Sequence, residues 1–218
     1  MPCLAQANDV ELSVTGLKGE LEDNVEAYLS SIPASEYSVS LRFQSRLEES
    51  ITQALNALGY YHPTFKFEVI EDGSDTKLVV NVAKGPSVKI KEVDILVSGE
   101  AEKDRAFRRL IRQSGIKEGK RLKHNQYDSL KSGMTNLALQ RGYFDGEFTL
   151  SRLEVVPELN EAMIRLHYDS GIRYHFGETS VSGSQIDDDR VRSIQPYTQG
   201  DPYLVSQVGE YNQNLSNT

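Results

Sequence analysis

A helix that ends in glycine and an aromatic pair occurs twice in this chain, 83 residues apart. The first copy is Ala54-Leu55-Asn56-Ala57-Leu58-Gly59-Tyr60-Tyr61-His62-Pro63-Thr64-Phe65-Lys66-Phe67. The second is Leu137-Ala138-Leu139-Gln140-Arg141-Gly142-Tyr143-Phe144-Asp145-Gly146-Glu147-Phe148. In each, a glycine stops an amphipathic helix and an alternating strand follows. Self-similarity at a fixed spacing marks an internal repeat. Gly59 and Gly142 are read as helix stops, since a helix C-terminus commonly needs a left-handed residue.

The flanking pattern extends the repeat. Val10, Leu12 and Val14 alternate with polar residues up to Gly16, which predicts a short strand with one buried face. Glu20, Glu22, Asp23 and Glu26 open a helix with Leu21, Val25, Tyr28 and Leu29 as its inner positions. A second helix starts near Ser40, with Phe43, Leu47, Ile51, Ala54, Leu55 and Leu58 on one stripe. Phe65, Phe67 and Val69 form a strand, a turn at Glu71-Asp72-Gly73-Ser74 follows, and Leu78, Val80 and Val82 return antiparallel. The unit is β-α-α-β-β.

The order restarts with a strand at Val93, Ile95 and Val97, ended by Gly99, which lies 83 residues after Gly16. Phe107, Leu110 and Ile111 face inward on its first helix, leaving Arg105, Arg108, Arg109 and Arg112 outside. Tyr127, Leu130, Met134, Leu137 and Ala138 form the stripe of its second helix. Phe148 and Leu150 begin one strand, and Ala162, Ile164, Leu166 and Tyr168 form the return. A third unit starts with a strand ended by Gly183 and a helix opened or preceded by Asp187-Asp188-Asp189, with Val191 and Ile194 inside. A final helix carries Leu204, Val208, Tyr211 and Leu215. Its last two strands are missing, so the sequence reads as a piece of a longer protein. The expected domains are 8–86, 87–172 and 173–218, the last incomplete. The fold class is α+β: tandem repeats, each a three-stranded mixed sheet covered by two helices.

Charge narrows the partners. Residues 8–86 carry 6 basic and 13 acidic side chains, while 87–172 carry 15 and 13. The basic excess lies between Lys103 and Lys123, opposed within that stretch only by Asp104 and Glu118. It reads either as a solvated helix face or as a contact for lipid head groups, an acidic partner or the acidic first unit. A net charge of −8 disfavours nucleic acid, whose binding requires neutralised phosphates. His62, His124, His167 and His175 lack ligand spacing, and no catalytic or cofactor motif is present; no enzyme, metal or cofactor is expected. Ala5-Gln6-Ala7 has the small-x-small form of a signal-peptidase site, which predicts residues 1–7 as the end of a secretory signal carrying Cys3, the chain's one cysteine.

The β-α-α-β-β unit with Gly-Tyr-aromatic before its second strand resembles the POTRA domain of the outer-membrane barrel-assembly superfamily, which includes BamA and TamA. The TamA-like branch is the nearer one. That resemblance rests on Val14-Thr15-Gly16-Leu17, the two Gly-Tyr-aromatic stretches, Tyr168-Asp169-Ser170-Gly171-Ile172-Arg173-Tyr174-His175-Phe176-Gly177 and Gly183-Ser184-Gln185-Ile186. It implies a periplasmic array attached to the outer membrane through the protein's own C-terminal barrel, absent here. Implied partners are a TamB-like inner-membrane-anchored protein, unfolded outer-membrane protein clients such as autotransporters, and membrane lipid head groups. Alternatives are a BamA-like or two-partner-secretion transporter, or a free-standing periplasmic binding or chaperone module. If the last strand of each unit is central, the second is an open edge at Thr64–Ile70 and Glu147–Val155, with Thr64, Lys66, Glu68, Ile70, Glu147, Thr149 and Ser151 available for strand addition.

Overall fold

The computed structural model describes residues 10–73, 75–180 and 188–217. The expected signal end at residues 1–7, the strand end at Gly183 and the residue Asp187 lie outside them. The fold is α+β, with two three-stranded mixed sheets. The first sheet holds β1 (Val10–Thr15), β2 (Thr64–Asp72) and β3 (Asp75–Ala83) in the order β1-β3-β2. β1 runs parallel to β3, with Val10 opposite Thr76 and Thr15 opposite Asn81. β2 runs antiparallel, from Thr64 opposite Ala83 to Asp72 opposite Asp75. The returning strand is therefore central. Its Leu78, Val80 and Val82 are buried, as a strand flanked on both edges and covered on one face requires.

Helices α1 (Glu20–Leu29) and α2 (Leu41–Ala57) pack with the sheet. The Ser40 side chain accepts the Phe43 N–H, capping α2 and satisfying a donor that the helix cannot. Phe43, Leu47, Ile51, Ala54 and Leu55 are buried along one stripe, and Leu21, Val25 and Leu29 face them from α1. Tyr28 does not: it is 39% exposed. The three buried positions step by four, and Tyr28 falls off the edge of that stripe. Val69, expected to alternate inward, is exposed as well: it lies on the terminal strand, outside its buried partner Leu78.

The second sheet has the order β4-β6-β5, from β4 (Lys89–Ser98), β5 (Glu147–Val156) and β6 (Glu161–Asp169). Its helices are α3 (Arg105–Gln113) and α4 (His124–Gln140). Ala162, Ile164, Leu166 and Tyr168 are buried on central β6. On α3 only Phe107 is buried; Leu110 and Ile111 are half-buried. Val93, Ile95 and Val97 are half-buried too, whereas Val88 and Ile90, just before them, are buried. Helices α5 (Asp188–Ser193) and α6 (Val205–Ser216) follow, burying Val191 and Tyr211.

Two compact units result. One comprises residues up to Lys91 with Glu118–Asn125 and Val155–Ala162; the other comprises Glu92–Lys117, Gln126–Glu154 and Met163–Thr218. No helix among the described residues is long and apolar enough to cross a membrane.

Candidate functional site

Two kinds of surface stand out: the sheet edges and a backbone clamp that occurs once in each unit. The edges follow from strand order. β2 and β5 are terminal strands, and a terminal strand presents unpaired N–H and C=O groups along its outer side. On β2, Thr64, Lys66, Glu68 and Ile70 are exposed while Phe65 and Phe67 pack on the core. On β5, Glu147, Thr149 and Ser151 are exposed, with Phe148 and Leu150 half-buried. Thr64, Lys66, Glu68 and Ile70 share one face of β2, and Glu147 and Thr149 one face of β5, whereas Ser151 is turned toward α4. The Tyr127 hydroxyl lies 2.9 Å from the Ser151 hydroxyl, so that side chain is engaged within its own unit.

The clamp begins at the helix stops. Gly59 and Gly142 both have φ +83, in the left-handed region. Each glycine's carbonyl then accepts a bond from a distant segment: Val88 N–H donates to Gly59 O at 2.7 Å, and Tyr174 N–H to Gly142 O at 2.7 Å. That segment is held in turn by a loop. Leu122 N–H donates to Val88 O at 3.0 Å, Ile90 N–H to Lys120 O at 2.8 Å, and Gly119 N–H to Ile90 O at 2.7 Å. The other unit repeats these bonds: Tyr203 N–H to Tyr174 O at 3.0 Å, Phe176 N–H to Asp201 O at 2.9 Å, and Gly200 N–H to Phe176 O at 2.8 Å. The close approach explains the absent side chain. A Cβ on Gly59 would overlap the Leu122 carbonyl oxygen, and one on Gly142 would sit 2.8 Å from Tyr203 Cβ.

Side chains lock the clamp electrostatically. Tyr60 is buried behind Gly59, and Arg121 Nη1 donates to its hydroxyl oxygen at 2.9 Å while the guanidinium lies 5.3 Å from the ring centre. Arg121 Nη2 also donates to Glu20 Oε2 at 2.8 Å, and Lys123 pairs with the same carboxylate. The Lys123 hydrogen bond, with the Arg121 and Lys123 charges, holds the Glu20 carboxyl below its usual range against the effect of burial. In the other unit, Asp104 takes the acidic role. Burial pushes its carboxyl up, but bonds from the Ala106 N–H and Arg141, with the Arg141 charge, outweigh this and hold it below the usual range. Arg141 Nε donates to Asp104 Oδ2 at 2.6 Å, and the Tyr143 hydroxyl donates to the same oxygen at 3.2 Å. Arg173 lies 5.6 Å from the Tyr143 ring centre and donates to the Arg141 carbonyl at 2.9 Å. Burial, and then the Asp104 charge, raise the Tyr143 hydroxyl. The sequence pattern missed Glu20, Asp104 and Arg173 in these roles. The signal was there: Glu20 and Asp104 both open the first helix of a repeat, 84 residues apart.

The basic stretch divides into two. Arg121 and Lys123 are paired to Glu20 and belong to the clamp. Arg105, Arg108, Arg109 and Arg112 are exposed on α3, and no carboxylate among the described residues pairs with them. The Arg108 guanidinium donates to the Lys103 carbonyl at 3.1 Å. The four arginines and Ile111 line an open concavity of about 640 Å³. Arg105 also borders a second one, of about 500 Å³, with Lys103, Arg141 and Arg173. Among the described residues, no group of three or more His, Cys, Asp or Glu side chains is placed to hold a metal ion.

Residues 11–84 match the family model described as POTRA domain TamA domain 1. Among solved structures, the POTRA3-5 region of BamA from Haemophilus influenzae is similar at 14% identity and a TM-score of 0.44, over 97% of this chain and 85% of that one. POTRA1-3 of the periplasmic domain of Omp85 from Anabaena is similar at 14% identity and 0.36, over 96% and 83%. The N-terminal domain of Omp85 from Thermosynechococcus elongatus is similar at 16% identity and 0.37, over 95% and 83%. Residues 11–84 are thus similar to TamA POTRA domain 1, and the second sheet with its helices repeats the same β-α-α-β-β order.

Proposed function

We infer that this chain is the periplasmic, partner-binding POTRA region of an outer-membrane assembly protein, and that it takes extended polypeptide on its open sheet edges. It acts as a scaffold rather than as an enzyme. The observation that carries this reading is the placing of β2 and β5 at sheet ends with their outer side chains exposed. Main-chain pairing at such an edge gives affinity with little demand on sequence, which suits a protein that handles many unfolded clients. On this reading the array comprises the domains 8–86, 87–172 and 173–218. The strands offered to it come from unfolded outer-membrane proteins, autotransporters among them, and from a TamB-like inner-membrane-anchored partner. The attachment to the outer membrane is through the protein's own barrel.

Photo-crosslinking from Lys66, Glu68, Glu147 and Thr149 to an unfolded outer-membrane client tests the reading. Crosslinks are expected from these four positions and not from the opposite sheet face. Val69 lies in a non-hydrogen-bonded pair with Leu78, so its N–H faces the open edge. Val69→Pro is expected to abolish the crosslinks at β2 while the melting temperature stays within a few degrees. Crosslinks that survive the proline unchanged would refute pairing at β2.

A further inference from the structure

The first sheet has a second open edge, and the groove beside it has a chemistry of its own. β1 is terminal in the order β1-β3-β2, and its pairing is with β3 alone. Residues 10–15 make no other backbone hydrogen bond within the described residues. Alternate residues of an edge strand turn both N–H and C=O outward, so β1 offers a short ladder to a further strand. Beside it lies a groove of about 260 Å³ between β1 and α1. Leu12 and Val14 line it from the strand, Leu29 from the helix and Tyr37 from the following loop. It is smaller than the roughly 300–1,000 Å³ of small-molecule sites, and suits a few aliphatic side chains.

Two acidic side chains stand in its otherwise largely apolar lining. Glu22 and Glu26 line the groove from α1, are exposed, and form no ion pair among the described residues. They stand four apart on one helix face, where like charges repel and destabilise the helix. A cation placed between them relieves that repulsion. A strand added to β1 lies about 4.8 Å from it, and half of its side chains fall on the face where Leu12 and Val14 point. Those side chains enter the groove, and a basic one among them reaches the two glutamates. An acyl chain fills the same apolar volume but brings neither main-chain partners nor a positive charge.

We propose that the β1 edge and the β1–α1 groove bind an extended polypeptide strand whose groove-facing side chains are aliphatic, with one lysine or arginine placed against Glu22 and Glu26. The proposal rests on the strand-addition reading, but assigns an edge distinct from β2 and β5 and a side-chain preference to go with it.

The test uses the 218-residue chain and a labelled heptapeptide that alternates threonine and valine, with one valine replaced by arginine. Binding is read by fluorescence anisotropy at low salt. Glu22→Lys with Glu26→Lys is expected to weaken the arginine peptide about tenfold and to strengthen the matching glutamate peptide. N-methylation of alternate peptide amides along one edge is expected to abolish binding. Amide shifts in the unmodified chain are expected over Val10–Thr15. Because both glutamates are exposed, the double variant keeps its fold, which its melting curve reports. Val69→Pro, which removes an outward N–H of β2, separates the two readings. If it abolishes binding while the charge reversal does nothing, strand addition stands at β2 and the β1 assignment is overturned. No binding by either peptide at millimolar concentration also overturns it, as does a lysolipid that displaces the peptide without perturbing the β1 amides.

Discussion

Gly59→Ala separates the two reasons for glycine at the helix stop. The backbone there has φ +83, and holding alanine in a left-handed conformation costs about 1–2 kcal/mol. The new methyl also overlaps the Leu122 carbonyl oxygen, which is main chain and cannot rotate aside. To relieve the overlap the loop must retreat, which lengthens the bonds from Leu122 N–H to Val88 O and from Val88 N–H to Gly59 O. Each is worth about 0.5–1.5 kcal/mol. The total loss expected is thus about 2–5 kcal/mol. Gly73→Ala supplies the comparison: φ is +63, and nothing lies within 4 Å of the position a Cβ would take. It carries the conformational cost alone, about 1–2 kcal/mol. Urea unfolding of the two variants, with unchanged m-values, measures the difference. Hydrogen exchange at the Leu122 and Val88 amides should quicken in Gly59→Ala and not in Gly73→Ala. Equal midpoints, or unchanged exchange at both amides, would refute the claim that close approach, beyond φ, selects glycine at this position.

Asp104→Asn tests the second lock by pH. The carboxyl is held below its usual range, so its stabilising contribution is complete above the ordinary carboxylate value of about 4 and fades as pH falls through the lower folded value. Asparagine keeps a side-chain oxygen for the Ala106 N–H but lacks the negative charge that pairs with Arg141. The variant should be about 1–3 kcal/mol less stable at pH 7, with a flatter loss of stability in acid; parallel acid curves would disprove the linkage. Charge reversal of Arg108, Arg109 and Arg112 should weaken co-sedimentation with anionic vesicles by tenfold or more at low salt and leave the melting temperature unchanged, because none of the three is buried or paired with a carboxylate. Vesicle binding that ignores both reversal and salt would remove the α3 face from consideration.

The local pattern was enough for much of the fold. Alternation at Leu78, Val80 and Val82, with glycine stops on either side, leads directly to a buried central strand, and the Ser40 cap and its apolar stripe locate α2. Failures cluster where a distant segment decides the outcome. Val88 and Ile90 are buried because the loop from Gly119 to Leu122 covers them, and no neighbour in sequence reveals that loop. Arg121 and Lys123 look like members of a free basic run, yet their partner Glu20 lies about a hundred residues away. Tyr28 failed for a local reason, at the margin of a stripe whose width periodicity alone does not fix. The edge position of β2 and β5 followed from strand order. The groove beside β1 did not, since it depends on how α1 and Tyr37 lie over the strand.

The clamp at Gly59 also sets an order of events for a chain that appears N-terminus first. β1 to β3 are complete once Ala83 has emerged, yet Gly59 and Tyr60 remain open until Val88 and then Leu122 arrive. Domains generally fold as units during synthesis, and a unit with a missing seal exposes apolar surface while it waits. For this chain the waiting surface includes Tyr60 and the last turn of α2. A pause between Ala83 and Leu122 would therefore leave the first sheet formed but unsealed, the state in which a chaperone, a protease or a wrong strand finds it most readily.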